Sequence, residues 1–150
     1  MKPDEDTLWG IRAFVYRHIG ETTQPPRLEE AANRFGLTHE QVAAAYEELH
    51  KRHAFFLKPG THVILMANPF SAVETPFIVH ANNKTYCANC AWDSLGIPAA
   101  LHSDAKVEAR CAQSGDVIRL RVRDGQVSRS SALVHFLIPF RDWYGDLAFT

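Results

Sequence analysis

YCANCAWDSLGIPAAL, residues 86–101, carries the one helical pattern in a half of the chain that otherwise reads as short β-prone runs. Residues 88–96 are predicted helical, and Gly96, Ile97 and Pro98 are expected to stop that helix abruptly. Before it, TPFIVH (75–80) and KTY (84–86) flank Ala81-Asn82-Asn83 and predict a hairpin. After it, KVEARC (106–111), VIRLRV (117–122) and ALVHFLIP (132–139) read as strands, with Ser114-Gly115 and Asp124-Gly125 as turns. One helix set in antiparallel strands makes this half an α+β core.

The preceding residues have a different periodicity. Leu8, Ile11, Phe14, Val15, His18 and Ile19 recur at helical spacing over residues 5–20, with Asp6 or Thr7 as the expected cap and Gly20 near the end. After Pro25-Pro26, Leu28, Ala31, Ala32 and Phe35 predict a second helix closed by Gly36. Thr38 and Gln41 form a capping box opening a third helix that carries Val42, Ala45, Tyr46 and Leu49. AFFL (54–57) and THVILM (61–66) then pair across Lys58-Pro59-Gly60. The expected fold is therefore α+β: a winged-helix-like three-helix region with a β-hairpin over residues 1–68, then a mainly antiparallel core over 69–150, divided at Asn68-Pro69.

Charge narrows the function classes. The chain has 16 Lys+Arg against 17 Asp+Glu and is 46% hydrophobic, the composition of a globular protein with an ordinary core. Residues 1–68 hold 8 Lys+Arg and 9 Asp+Glu, and the third helix carries Glu40, Glu47 and Glu48. The basic stripe that phosphate binding needs is missing, which argues against nucleic acid as a partner. RLRVR (119–123) alternates arginine with apolar residues as a strand with one solvated face does. No apolar run is long enough to span a bilayer and MKPDEDTLWG lacks a leader pattern, so a cytoplasmic location is expected. Three cysteines in such a chain point to reduced thiols used for metal binding or chemistry.

Cys87, Cys90 and Asp93 are spaced by threes. On one helix they advance about 300° per step and drift slowly round one side, so Cys90 neighbours both of the others. A helix starting near Cys87 or Ala88 would favour the thiolate of a first-turn cysteine through its free N–H groups and dipole. Asp93, beside Trp92 and apolar residues, is expected to be partly out of water and to hold a proton near neutral pH, as a general acid must. Other readings stand beside this one. Cys-x-x-Cys also marks half a zinc site, with Cys111, His80, His102 and His135 as further ligands, or a redox pair; Asp93 can be an ordinary surface carboxylate.

The run YCANCAWDSLGIPAAL, the later KVEARCAQSG and the helical N-terminal segment together resemble the organomercurial (alkylmercury) lyase family. The likeness rests on Cys-Ala-x-Asp at Cys90 to Asp93, on Ile97-Pro98-Ala99, and on Cys111 before a small-residue turn. It implies protonolytic cleavage of a carbon–mercury bond, in which Cys90 takes the mercury and Asp93 delivers a proton to the departing carbon. Cys111 would be a support residue, and Trp92 an apolar neighbour of the site. The family's second catalytic cysteine would follow the stretch matching residues 132–149, so a chain ending at Thr150 is expected to be truncated or to borrow another thiol, with Cys87 the nearest. Mercury would be substrate and then Hg(II) product on Cys90 and Cys87. No organic cofactor is implied; the partners would be an organomercurial, small thiols as co-reactants and a mercuric reductase accepting Hg(II), with no membrane. The alternative is a non-catalytic thiol metal-binding protein, or a metal-responsive winged-helix regulator sensing through Cys87, Cys90 and Cys111.

Overall fold

The computed structural model describes residues 3–145. Helix α1 (Glu5–Thr22) starts at the expected residue but is capped by Asp4, not Asp6 or Thr7: Asp4 Oδ1 accepts from the Thr7 N–H at 2.7 Å. It also runs past Gly20 to a left-handed Thr23. Helix α2 (Leu28–Phe35) ends at Gly36, whose φ of 65° is the conformation glycine tolerates best, and α3 (His39–Lys51) opens with the reciprocal Thr38–Gln41 capping box. The buried stripe Leu8, Ile11, Val15 and Ile19 of α1 meets Val42, Ala45, Tyr46 and Leu49 of α3 in the core.

Among the described residues, eight strands form one antiparallel sheet: β1 (Phe56–Leu57), β2 (Ile64–Ala67), β3 (Phe70–Ser71), β4 (Ile78–Ala81), β5 (Lys84–Ala88), β6 (Ala105–Arg110), β7 (Val117–Arg123) and β8 (Gln126–Val127), in the spatial order β1-β2-β3-β5-β4-β6-β7-β8. The expected α+β class is the observed one. The β4–β5 turn places Asn82 and Asn83 at φ 50° and 58°, the paired positive values that a two-residue hairpin turn demands. The expected boundary at Asn68-Pro69 falls in the turn between paired strands β2 and β3, so the wing hairpin continues into the sheet of the second half. One hydrophobic cluster runs from Leu8 to Val122 through both halves. Tyr86 of β5 strengthens that union by donating to the carbonyl of Gly20 in α1 at 2.6 Å.

Three sequence expectations are corrected. The helix of the second half, α4 (Ala91–Leu101), does not stop at Gly96-Ile97-Pro98 but runs through all three. Tertiary packing outweighs the local breakers: Ile97 is fully buried, Pro98 is buried, and a Cβ on Gly96 would stand 3.0 Å from the Pro69 ring, so glycine lets the helix approach the β2–β3 turn. Cys87 is not on that helix but inside β5. ALVHFLIP forms no strand; residues 132–139 are irregular and mostly exposed, followed by a 3-10 helix at Phe140–Gly145. An apolar run that finds no ladder partner cannot be told from a strand by hydrophobicity alone. The end of the stretch expected over 132–149 lies outside the described residues.

Candidate active site

The chain leaves β5 at Ala88, turns through Asn89 and enters α4 with Cys90 as the N-cap, its backbone extended at φ −149° and ψ −179°. The Cys90 carbonyl accepts from the Ser94 N–H at 3.1 Å, closing the first turn. Asp93 is then the third residue of the helix. Cap and third residue face each other across the end of a helix, as in a capping box, and the Cys90 thiol donates to Asp93 Oδ2 at 3.6 Å. The sequence expectation that Cys90 and Asp93 meet is thus met, though by end-of-helix geometry and not by a shared helical stripe.

Cys90 and Asp93 line a small cavity of about 70 Å³. Met66 and Asn68, at the end of β2, form one side; Asn89 and Trp92 flank Cys90 and Asp93; Phe136 and Trp143, from the C-terminal stretch, complete the lining. Asn89 Nδ2 donates to Asn68 Oδ1 at 3.0 Å, which ties the entry of α4 to the wing strand. The Asn89 Oδ1 is buried and has no protein partner among the described residues, so an acceptor is left beside the cavity. A larger open basin of about 670 Å³ lies elsewhere, over the face of β4 to β7 lined by Lys84, Lys106, Arg121 and Arg123. No cysteine lines it, and it is the solvated basic side of the sheet.

Burial pushes the Asp93 carboxyl above its ordinary range, against hydrogen bonds from Asn89 and Cys90 that pull it down. This is the shift the sequence led one to expect. Cys90 differs from expectation. Burial raises its thiol and the adjacent Asp93 charge adds to the rise, outweighing the Asp93 and Trp92 N–H groups at the helix start that favour thiolate. Burial thus favours the protonated form of both groups, whose side chains touch.

The remaining thiols lie apart. Alternation along β5 sends Tyr86 and Ala88 into the core and Cys87 to the opposite side with Thr85, and Cys87 does not line the cavity. The expectation that Cys87 stands one helical turn before Cys90 fails because the residue is in a strand. Cys111 sits at the end of β6 where its N–H donates to Asp116 O, and Ser114 hydrogen bonds lower its thiol below the ordinary value. Among the described residues no three His, Cys, Asp or Glu side chains converge to hold a metal ion, so neither the zinc set nor the three-cysteine sensor is assembled. No described helix is long and apolar enough to cross a membrane. Sequence reasoning missed Met66, Asn68, Asn89 and Phe136. Only the Asn residues flanking Pro69 and Cys90 gave a signal, as small polar groups beside the reactive pair.

The family model described as MerB, alkylmercury lyase, matches residues 70–149. Among solved structures, the chain is similar to the mercury-bound form of MerB2, with a TM-score of 0.68 and 23% identity, over 87% of this chain and 62% of that one. That likeness concerns the fold, and the chain spans about 62% of the length of the structure it matches. No curated protein matches the chain significantly. A family match over more than half of its residues, covering the helix that sets Cys90 against Asp93, makes this chain a member of the alkylmercury lyase family.

Proposed function

We propose that the protein cleaves carbon–mercury bonds by protonolysis, giving a hydrocarbon and Hg(II). The observation that carries this reading is the contact between Cys90 Sγ and Asp93 Oδ2, 3.6 Å apart in a cavity otherwise walled largely by Met66 and aromatic rings. A thiol is the soft ligand mercury prefers, and a buried carboxyl is an acid able to protonate carbon.

The substrate arrives as R–Hg–SR′ with a small thiol. Cys90 sulfur bonds to mercury as its proton passes to the Asp93 carboxylate it already touches. Sulfur loses a proton and gains a metal; Asp93 becomes a carboxylic acid, the form burial favours. The C–Hg bond then breaks with its electron pair moving to carbon, which takes the proton from Asp93 and leaves as R–H. Mercury stays divalent throughout, Asp93 returns to carboxylate, and no organic cofactor enters the balance. Hg(II) remains on Cys90 and the external thiolate until further thiol, or a mercuric reductase, removes it. Because Cys87 does not line the cavity, the second sulfur on mercury is assigned to the external thiol. A cytoplasmic setting, where thiols stay reduced, suits a site that needs Cys90 as a thiol.

The test is hydrocarbon release from methylmercury and phenylmercury in excess small thiol, read by gas chromatography of the headspace. Wild type is expected to release methane or benzene, with Cys90→Ala and Asp93→Asn at background. Equal release from the variants and wild type would sink the assignment.

A further inference from the structure

The wall beside Cys90 comes from a C-terminal stretch that supplies neither the thiol nor the carboxyl group. Phe136 and Trp143 line the cavity, with ring centroids 5.0 Å apart, and Phe140 stands edge-on to Trp143 at 5.0 Å. This stretch follows β8 and joins no strand among the described residues. Within it, Trp143 Nε1 donates to the carbonyl of Ile138 at 3.0 Å, and Tyr144 ties it to the rest of the protein, stacked on His53 at 4.0 Å with 12° between the rings and 6.1 Å from the Phe56 ring. His53 belongs to the turn after α3, so the wall is pinned to the N-terminal region. Phe136 is 37% exposed, Phe140 64% and Tyr144 48%. Rings covered on one side only, on backbone outside any ladder, open at little cost.

Size then decides what fits beneath. The space of about 70 Å³ beside the two rings is less than half of the apolar cavity of about 150 Å³ that benzene is known to fill. A methyl group on mercury fits beside Phe136 and Trp143 as they stand; a phenyl ring must displace one of them or project through the open mouth.

We infer that Phe136 and Trp143 form an aromatic wall that selects the organic group, admitting methyl-sized groups when closed and aryl groups only when displaced, and that Tyr144 stacked on His53 is the positioning residue that keeps it closed. This rests on the proposed lyase reading for its substrates, but it can fail or stand separately.

The experiment uses the full chain carrying Cys87→Ser, Cys111→Ser and Asp93→Asn, which leaves a single thiol and no proton donor. It is offered an equimolar mixture of methylmercury and phenylmercury, and native mass spectrometry reads the two adducts on Cys90. Methyl adduct is expected to exceed phenyl adduct by about tenfold, the scale on which apolar pockets discriminate by size. Adding Phe136→Ala or Trp143→Ala is expected to bring the ratio to within about twofold of one. Tyr144→Ala is expected to do the same and Tyr144→Phe to restore selection, since a phenyl ring still stacks on His53. A starting ratio near one, or a ratio unmoved by both Phe136→Ala and Trp143→Ala, overturns the wall; a ratio unmoved by Tyr144→Ala overturns its anchoring. If selection behaves as expected while the protein with Asp93 intact releases no hydrocarbon, the lyase reading falls and the wall remains.

Discussion

Cys90 and Asp93 occupy the N-cap and third position of α4, and their side chains close on each other at 3.6 Å, sulfur to oxygen. Where a serine and a glutamate would satisfy the free N–H groups of a helix end, this helix presents a thiol and a carboxyl to a cavity. Both groups are held on the reluctant side of ionisation by burial.

Asp93→Asn is expected to move Cys90 ionisation to lower pH. Burial, the larger cause of the raised thiol, stays, but the neighbouring negative charge that adds to it is removed, while the Trp92 and Asp93 backbone N–H groups remain. Alkylation of Cys90 by iodoacetamide, followed against pH in a chain whose other cysteines are serine, reads the shift. An unchanged or raised midpoint would contradict the coupling.

The same substitution is expected to stabilise the fold at pH values above the raised Asp93 ionisation. A carboxyl raised in the native state favours folding below its unfolded value, near 3.8, and loses that contribution as pH climbs through the raised one. Above that raised value wild type carries an ionised, partly buried group that Asn does not. Thermal melts across pH should show Asp93→Asn gaining on wild type as pH rises, with the gap narrowing towards acid. The opposite trend would mean that the hydrogen bonds to the carboxylate outweigh its burial.

At neutral pH Cys111 should be alkylated before Cys90. Ser114 hydrogen bonds lower the Cys111 thiol at an exposed turn, whereas burial raises Cys90. Peptide mapping after brief iodoacetamide treatment separates the two, since Arg110 divides them for trypsin.

Two tyrosine hydroxyls predict opposite effects. Tyr86→Phe removes the 2.6 Å bond to the Gly20 carbonyl and should cost about 1 kcal/mol, because it also strands that acceptor. Tyr46 is fully buried, and its hydroxyl has no partner among the described residues, so Tyr46→Phe should be neutral or stabilising by up to roughly 1–3 kcal/mol. Urea denaturation of both variants checks the pair.

The local sequence determined whatever short-range physics governs. Helical periodicity marked α1 to α3, the Thr38–Gln41 box and Gly36 marked their ends, and the Asn and Gly turns marked the strand pairs. The Cys-x-x-Asp spacing brought Cys90 and Asp93 together, because three residues separate neighbours at a helix end as well as along a face. Tertiary structure decided the rest. Whether α4 runs through Pro98 depends on the burial of Ile97 and on the fit of Gly96 against Pro69, a residue from another element. Cys87 left the site because β5 continues one residue beyond it to Ala88, pairing with β3, and strand alternation turned its side chain away. The part Phe136 plays in lining the cavity was invisible in an apolar run, and Trp143 read equally as a core cap or a cover for the site, since hydrophobic residues state that they will be covered without stating by what. Only the chain's path back over Cys90 answers that.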